Sequence, residues 1–445
     1  MSRSRHRRLL AAATTVALTL TAAACTGSSG GGAVDDPNAK VTVTFWHGWS
    51  APNEVKAIRD NIVAFETKHP NIRVKAVGNI TDDKINQALR AGGPKAPDVV
   101  SSFTTDNVGE FCTSHALVDL TPFLKKSGID PAATFPQAQL DYTRFDGNQC
   151  TLPLLSDAYG LYYNKAMFAK AGISSPPKTL SEFDADAVKL TTSTGGSYSQ
   201  LGFMPDYHGY ESTISHFAAQ FDPTYFSGSG TSEVATDPGL KKAYQWQKKL
   251  VDALGGYRRL ENYRTTFGDE FSAKNPFMTG QVAMSIDGEW RGGMIDDAKT
   301  GLDYGTAPFP VPDDLAADYG KGYTSGTIVG VASTSRKQNA AWELVKFLTT
   351  DTDAVVSFAN AIHNVPSTTS ALASDKVDKS PSFQAFLKIA QNPHSNTTPS
   401  SPNGGAYQLT LQNVGYAYES GRNNDLQGAL DKAAKQIDTD VAQAK

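Results

Sequence analysis

Between Val41 and Phe103 the chain repeatedly switches its hydrophobic period, and that switching constrains the fold more than any other feature. VTVTF alternates apolar residues with threonine, the period of a strand with one buried face. NEVKAIRDNIVAFETKHP then sets Val55, Ile58, Ile62 and Phe65 on one helical stripe and stops at His69-Pro70. IRVKAV reads as a strand, DKINQALRAG as a helix ended by Gly92-Gly93, and PDVVSSF as a buried strand. A βαβαβ order implies a parallel sheet with helices on both faces. The same grammar returns only after residue 320, in GYTSGTIVGVAST and NAAWELVKFLTT, where Trp342, Val345 and Leu348 share a stripe. Between them lie YGLYYN, the helix GLKKAYQWQKKLVDAL, and the buried strand QVAMSID running into GEWRGG. A pattern that stops, yields and resumes predicts two lobes joined by several chain crossings, and 445 residues exceed one ordinary core.

The first residues read as an export signal. Arg3, Arg5, Arg7 and Arg8 precede the apolar run Leu9–Leu20, and Ala22, Ala23 and Ala24 stand before Cys25. Basic start, short apolar middle and small-residue end make a signal peptide over residues 1–24, too short to span a bilayer. Cys25 with TGSSGGG resembles the lipobox and tether of bacterial lipoproteins, so residues 25–37 are expected to carry a lipidated cysteine and a flexible tether. Plain A-x-A cleavage is the alternative. Without the four leader arginines, 37 Lys and Arg face 45 Asp and Glu, a charge of about −8 that is wrong for a nucleic-acid binder. If Cys25 is acylated, Cys112 and Cys150 remain as an even pair in an oxidising compartment. A bridge between them would stabilise by roughly 3–4 kcal/mol; two unrelated buried thiols are the other reading.

No HExxH, GxSxG, P-loop, CxxC or strand-borne GxGxxG occurs, and the histidines lack metal-ligand spacing, so neither metal nor cofactor is expected. Asp287 and Glu289 could share a strand face as a glycosidase pair would, although two solvated acids near a turn is the plainer reading. What recurs instead is an aromatic ring beside a short polar residue at a strand end. Trp46, His47 and Trp49 surround Gly48 after the first strand, and Asp106 follows PDVVSSF. Asp157 and Tyr159 follow Leu152–Leu155, Tyr207 and His208 follow GFMP, and Glu289 and Trp290 close QVAMSID. Ligands of open α/β sheets bind beyond the carboxyl ends of the strands. Ring faces stack on the C–H faces of sugars while carboxylates accept hydroxyls. Trp49, beyond the glycine turn, reads as the exposed platform and Trp46 as partly packing; Asp157 reads equally well as a helix cap.

With these residues in place, the chain resembles the extracellular solute-binding proteins of the sugar-binding type, lipoprotein receptors of ABC importers related to maltose-binding protein. The resemblance runs through VTVTFWHGW, APDVVSSF, GLYYNKAMFAKAGISSPPKTLSEF, FMTGQVAMSIDGEW, GTIVGVAST with NAAWELVKFL, and NVPS, in that order. It implies an α/β, two-lobed, periplasmic-binding-protein-like fold of type II, with a ligand cleft between lobes joined by hinge crossings near Pro153, Ala307–Pro310 and Ser357–Asn360. Lobe 1 would comprise residues 38–154 and 307–358, and lobe 2 residues 155–306 and 359–445. By position, the Trp46–Trp49 loop, Asp106, Asp157, Trp290 and Gly326 fall on binding positions of the family, with Asn364 and Tyr407 as looser matches.

The implied partners are a carbohydrate, the transmembrane permease subunits and, through the lipid, the membrane. The protein would act as a monomer on the outer face of the cytoplasmic membrane and would break no bond. SSFTTDN is read as lacking the aromatic often found in the family's second loop, which leaves stacking to Trp46, Trp49 and Trp290. Only Arg291 adds a cation, so a neutral mono- or oligosaccharide is expected over a glycerol phosphoester or another polar solute. A secreted carbohydrate-active hydrolase using Asp157 or Glu289 is the rival of a different class.

Overall fold

The computed structural model of the chain describes residues 40–93 and 95–444. The leader, Cys25 and the tether lie outside the described residues. β1 (Val41–Trp46) pairs in parallel with β2 (Ile72–Val77) and β3 (Val99–Ser102), with Val43 opposite Val74 and Phe45 opposite Val99. The connecting helices are Pro52–Lys68 and Asp82–Ala91, as their periodicity requires. The all-parallel order ends there. β9 (Thr324–Val331) lies between β3 and β4 (Leu152–Asn164) and runs antiparallel to both.

β4 organises the molecule. Its first half, Leu152–Ala158, pairs with β9; from Tyr159 onward it pairs instead with β7 (Val282–Gly288) and β8 (Tyr304–Pro308). β7 continues in parallel to β6 (Ser197–Phe203), which closes a hairpin with β5 (Thr192–Thr194). Almost every residue of LPLLSDAYGLYYN is buried, as a strand covered on both faces must be.

The packing divides at the same place. Leu152, Leu154 and Leu155 join a core with Phe45, Phe65, Trp342 and Phe358, while Ala158 begins a larger core that includes Phe203, Phe309, Tyr323 and Ile437. Core membership also changes between Tyr323 and Val329, and between Ile362 and Val365. The three segments at which core membership changes touch: Asp157 pairs with Ser325 in the ladder, and Ser156 N donates to Val365 O at 3.0 Å. On the other face of the first sheet, Ile85, Phe111, Tyr142 and Ile328 form a third cluster. Inside it Cys112 is bonded to Cys150, with Cα atoms 5.5 Å apart, tying the helix Asn107–Thr113 to the segment that becomes β4. Among the described residues no helix is long and apolar enough to cross a membrane.

Candidate functional site

Beyond the end of β3 the Ser102 hydroxyl accepts from Thr104 N and from Asn107 Nδ2, both at 3.1 Å, and turns the chain into the helix Asn107–Thr113. Phe103 is left outside the turn, 44% exposed. It borders a cavity of about 420 Å³ whose other walls are Tyr210 and Thr213–His216, Tyr323 and Ser325, and Gly404–Ala406, Gln408, Leu409 and Gln412 at the start of the helix Ala406–Glu419. Tyr210 and Leu409, 55% and 63% exposed, complete an apolar mouth contributed by three separate segments. Such exposed apolar groups around a polar interior mark a ligand site rather than ordinary surface. Asp106 spans the cavity: its Oδ1 accepts from Gln408 Nε2 at 2.6 Å, and burial pushes its carboxyl up to about 6. His216, also on the wall, is buried against Tyr159 and Tyr323, and that burial lowers its imidazole to about 4, which keeps it neutral.

At the crossing, three segments deliver an acid pair and its bridge. Asn364 Nδ2 donates to Asp157 Oδ1 at 2.8 Å and to Glu289 Oε1 at 2.7 Å. Glu289 Oε2 accepts from Ala158 N at 2.9 Å. Burial pushes both carboxyls up, Asp157 to about 7, and the Asp157 charge raises Glu289 further. Tyr159 is fully buried and serves as the ring scaffold behind this pair, edge-on to Trp290 at 5.5 Å and to Tyr323 at 5.3 Å. Trp290 is half-buried and folds back over Gly288, where any Cβ would overlap its ring; its indole N–H has no partner among the described residues. Asp157, Tyr159, Glu289, Trp290 and Asn364 are therefore brought together, and Asp106 lies on the cavity wall.

Other expected positions lie elsewhere. Trp49 is 3% exposed and belongs to the first core, edge-on to Phe103 at 5.3 Å and to Phe358 at 4.9 Å. The chain does not turn outward after Gly48, because His47 N donates to Val77 O and Asn79 N to Trp49 O, prolonging the β1–β2 pairing. Gly48 is needed for another reason: a Cβ there would overlap the Phe103 ring. His47 is buried between Phe45 and Trp49 and held down to about 4 by desolvation, so it packs rather than binds. Trp46 is the half-exposed member of the pair, resting on the third cluster. The Tyr207 ring lies against Phe267 with its hydroxyl 3.1 Å from Ser285 Oγ, and His208 pairs with Glu419 at 2.7 Å, away from the cavity. Tyr407 is buried, donating to Pro399 O at 2.8 Å. Gly326 keeps β9 close to β4, since a Cβ would stand 2.6 Å from the Tyr142 hydroxyl.

The sequence reading of the second loop is corrected as well: SSFTTDN does hold an aromatic, Phe103, with its ring at the cavity mouth. Tyr210, His216, Tyr323 and Gln408 went unread; the ring-after-strand signal that marked Tyr207 stopped three residues short of Tyr210. The glycosidase pair is closed off on one side, because Asp287 is 1% exposed and held by Arg291 Nε at 2.6 Å.

Residues 61–385 match the model of a family described as bacterial extracellular solute-binding protein. A maltotriose-binding protein of Pyrococcus abyssi is 22% identical over 405 residues, covering 89% of this chain and 81% of the relative. An sn-glycerol-3-phosphate-binding periplasmic protein of Brucella abortus is 26% identical over 283 residues, 61% of this chain and 62% of the relative. Among solved structures, the sugar-binding protein MalE of Xanthomonas citri superposes with a TM-score of 0.75 at 21% identity, covering 91% of this chain and 98% of that one. That likeness fixes the fold as the two-lobed periplasmic architecture.

Proposed function

The chain belongs to the bacterial extracellular solute-binding protein family, and we propose that its cavity captures a mono- or oligosaccharide for delivery to an ABC permease. The observation that carries this reading is the mouth formed by Phe103, Tyr210 and Leu409 over a wall rich in acceptors. Rings and apolar edges take the C–H faces of a sugar, and Asp106, Ser325 and the Asp157–Glu289 pair take its hydroxyls. A phosphoester would need an Arg or Lys cradle, and no Lys or Arg lines the cavity.

In this reading the protein works by binding alone. Ligand shifts an equilibrium of lobe positions about β4, β9 and the Ile362–Val365 segment, and the closed form docks on the permease. Export by residues 1–24 and anchoring by Cys25 complete it; metabolic labelling with palmitate should mark the parent and not Cys25→Ala. The central test is a saccharide panel read by thermal shift and calorimetry. Binding at micromolar affinity or better is expected, and a panel of diverse saccharides that gives no shift refutes it. Quantitative recovery of the bound sugar separates a receptor from a hydrolase.

A further inference from the structure

Several carboxyls without an ion-pair partner among the described residues gather in and beside this cavity. Asp106 lines the cavity, and Asp157 pairs across the ladder with Ser325, which lines it too. Asp157 and Glu289 both accept from a single amide nitrogen, Asn364 Nδ2, which carries no charge. Asp157 Oδ2 has no hydrogen-bond partner among the described residues. Beneath Tyr210 lies Glu211, 0% exposed, with both carboxylate oxygens unpartnered. Its charge and that of Asp157 both act on the Tyr159 hydroxyl, and each bears on the other.

The cations that could answer are engaged or absent. None of Asp106, Asp157, Glu211 and Glu289 forms an ion pair among the described residues. Arg291, whose charge partly offsets Glu211, is bonded through Nε to Asp287. His216 is held neutral by burial. An unpaired buried carboxylate is costly unless it takes up a proton or meets a positive group, and a cluster of such acids in a cleft is a functional-site candidate.

We propose that the saccharide taken by this cleft bears a protonated amine, as an amino sugar does, and that the ammonium seats against Asp157 and Glu289 with Glu211 behind them. This rests on the carbohydrate reading above and narrows its ligand class. The ammonium supplies the positive charge that the walls lack and donates to Asp157 Oδ2 without displacing Asn364. Its charge also draws protons from carboxyls that burial leaves partly protonated near neutrality, so binding releases protons. The titratable groups that face Asp157 are Glu289, Glu211, Tyr142, Tyr159 and Tyr210, all of them acids that burial holds toward their neutral forms.

The test pairs probes of one skeleton and two charges: the di- and trisaccharides of β-1,4-linked glucosamine and their N-acetylated counterparts, beside neutral maltose and mannose oligosaccharides. Titration calorimetry in buffers of different ionisation enthalpy counts the protons. The amine forms should bind at least about tenfold more tightly than the acetylated ones at neutral pH, with net proton release. The preference should shrink in acid as the carboxyls fill, and Asp157→Asn and Glu289→Gln should each erode it. Neutral saccharides that bind as tightly as the amines, or amine binding without proton release, overturn the inference and leave the carbohydrate receptor standing. No binding by any saccharide of either charge removes the carbohydrate reading itself.

Discussion

Gly109→Ala should weaken ligand binding without weakening the ligand-free fold. Gly109 lies inside the helix Asn107–Thr113, and alanine in a helix interior ordinarily gains up to about 1 kcal/mol over glycine. Here, however, a Cβ would stand 2.8 Å from Ser401 N and closer still to its carbonyl. Those are backbone atoms and cannot rotate aside. Ser401 leads into the helix Ala406–Glu419, whose Tyr407 and Leu411 pack in the larger core, whereas Val108 and Phe111 beside Gly109 pack in the third cluster. The new methyl therefore presses the two packed segments apart, by more than about 1 Å to reach ordinary van der Waals separation. Overpacking of this size costs about 1–3 kcal/mol, and only in the closed arrangement. Saccharide affinity should fall by about 5–150-fold, measured by calorimetry, while the melting temperature without ligand holds or rises. A variant that keeps full affinity, or one that melts markedly earlier without ligand, would show that the Gly109–Ser401 approach is not a closure contact.

Phe103→Ala removes a half-exposed ring and should weaken saccharide binding by about 1–2 kcal/mol with little change in unfolding, the two read side by side by calorimetry and thermal melt. Trp49→Ala, by contrast, empties a core position and should cost about 3–5 kcal/mol in urea denaturation. Cys150→Ser opens the Cys112 bridge and should cost roughly 3–4 kcal/mol, by the same measurement. Asp157 and Asp106 are raised, so the folded state holds their protons more tightly and stability is lost as pH rises toward about 7 and about 6. His47 and His216 are lowered to about 4, and their contribution is lost in the opposite direction, as pH falls below the ordinary imidazole value. Between about pH 6.5 and 7.5 the histidine effect is spent and the raised buried carboxyls remain, Asp157 together with Glu289, Glu211 and Asp206. The melting temperature should fall across that window, and Asp157→Asn should lessen the fall without abolishing it.

The elements of the first lobe were legible because their residues carry their own period: Val55, Ile58, Ile62 and Phe65 announce a helix wherever they are read. Asp157, Glu289 and Trp290 were legible because they end strands, although nothing local shows that Asn364 bridges the two acids across 207 and 75 residues. Trp49 was misjudged because its placement depends on backbone bonds to Val77 and Asn79, which leave no mark on side-chain type. Tyr210 is held by Glu270, whose Oε2 accepts from Tyr210 N at 2.7 Å from 60 residues away, and no spacing rule reaches that far. Phe103 was in plain view. Its role depends on the absence of a Cβ at Gly48, which lets its ring lie across that turn.

β4 is one uninterrupted strand whose two halves belong to different sheets, and Asp157 and Ala158 are the residues at which ownership passes. Any rotation of one lobe on the other must be absorbed as twist along this strand. It behaves as a torsion bar with the acid pair mounted at its midpoint. Recognition and mechanical signal then share the same few bonds, since a ligand group drawn against Asp157 biases the twist directly. For a sensor builder this sets the geometry: reporter dyes belong on opposite sides of the cavity mouth, where a small twist at β4 is magnified into the largest change in separation.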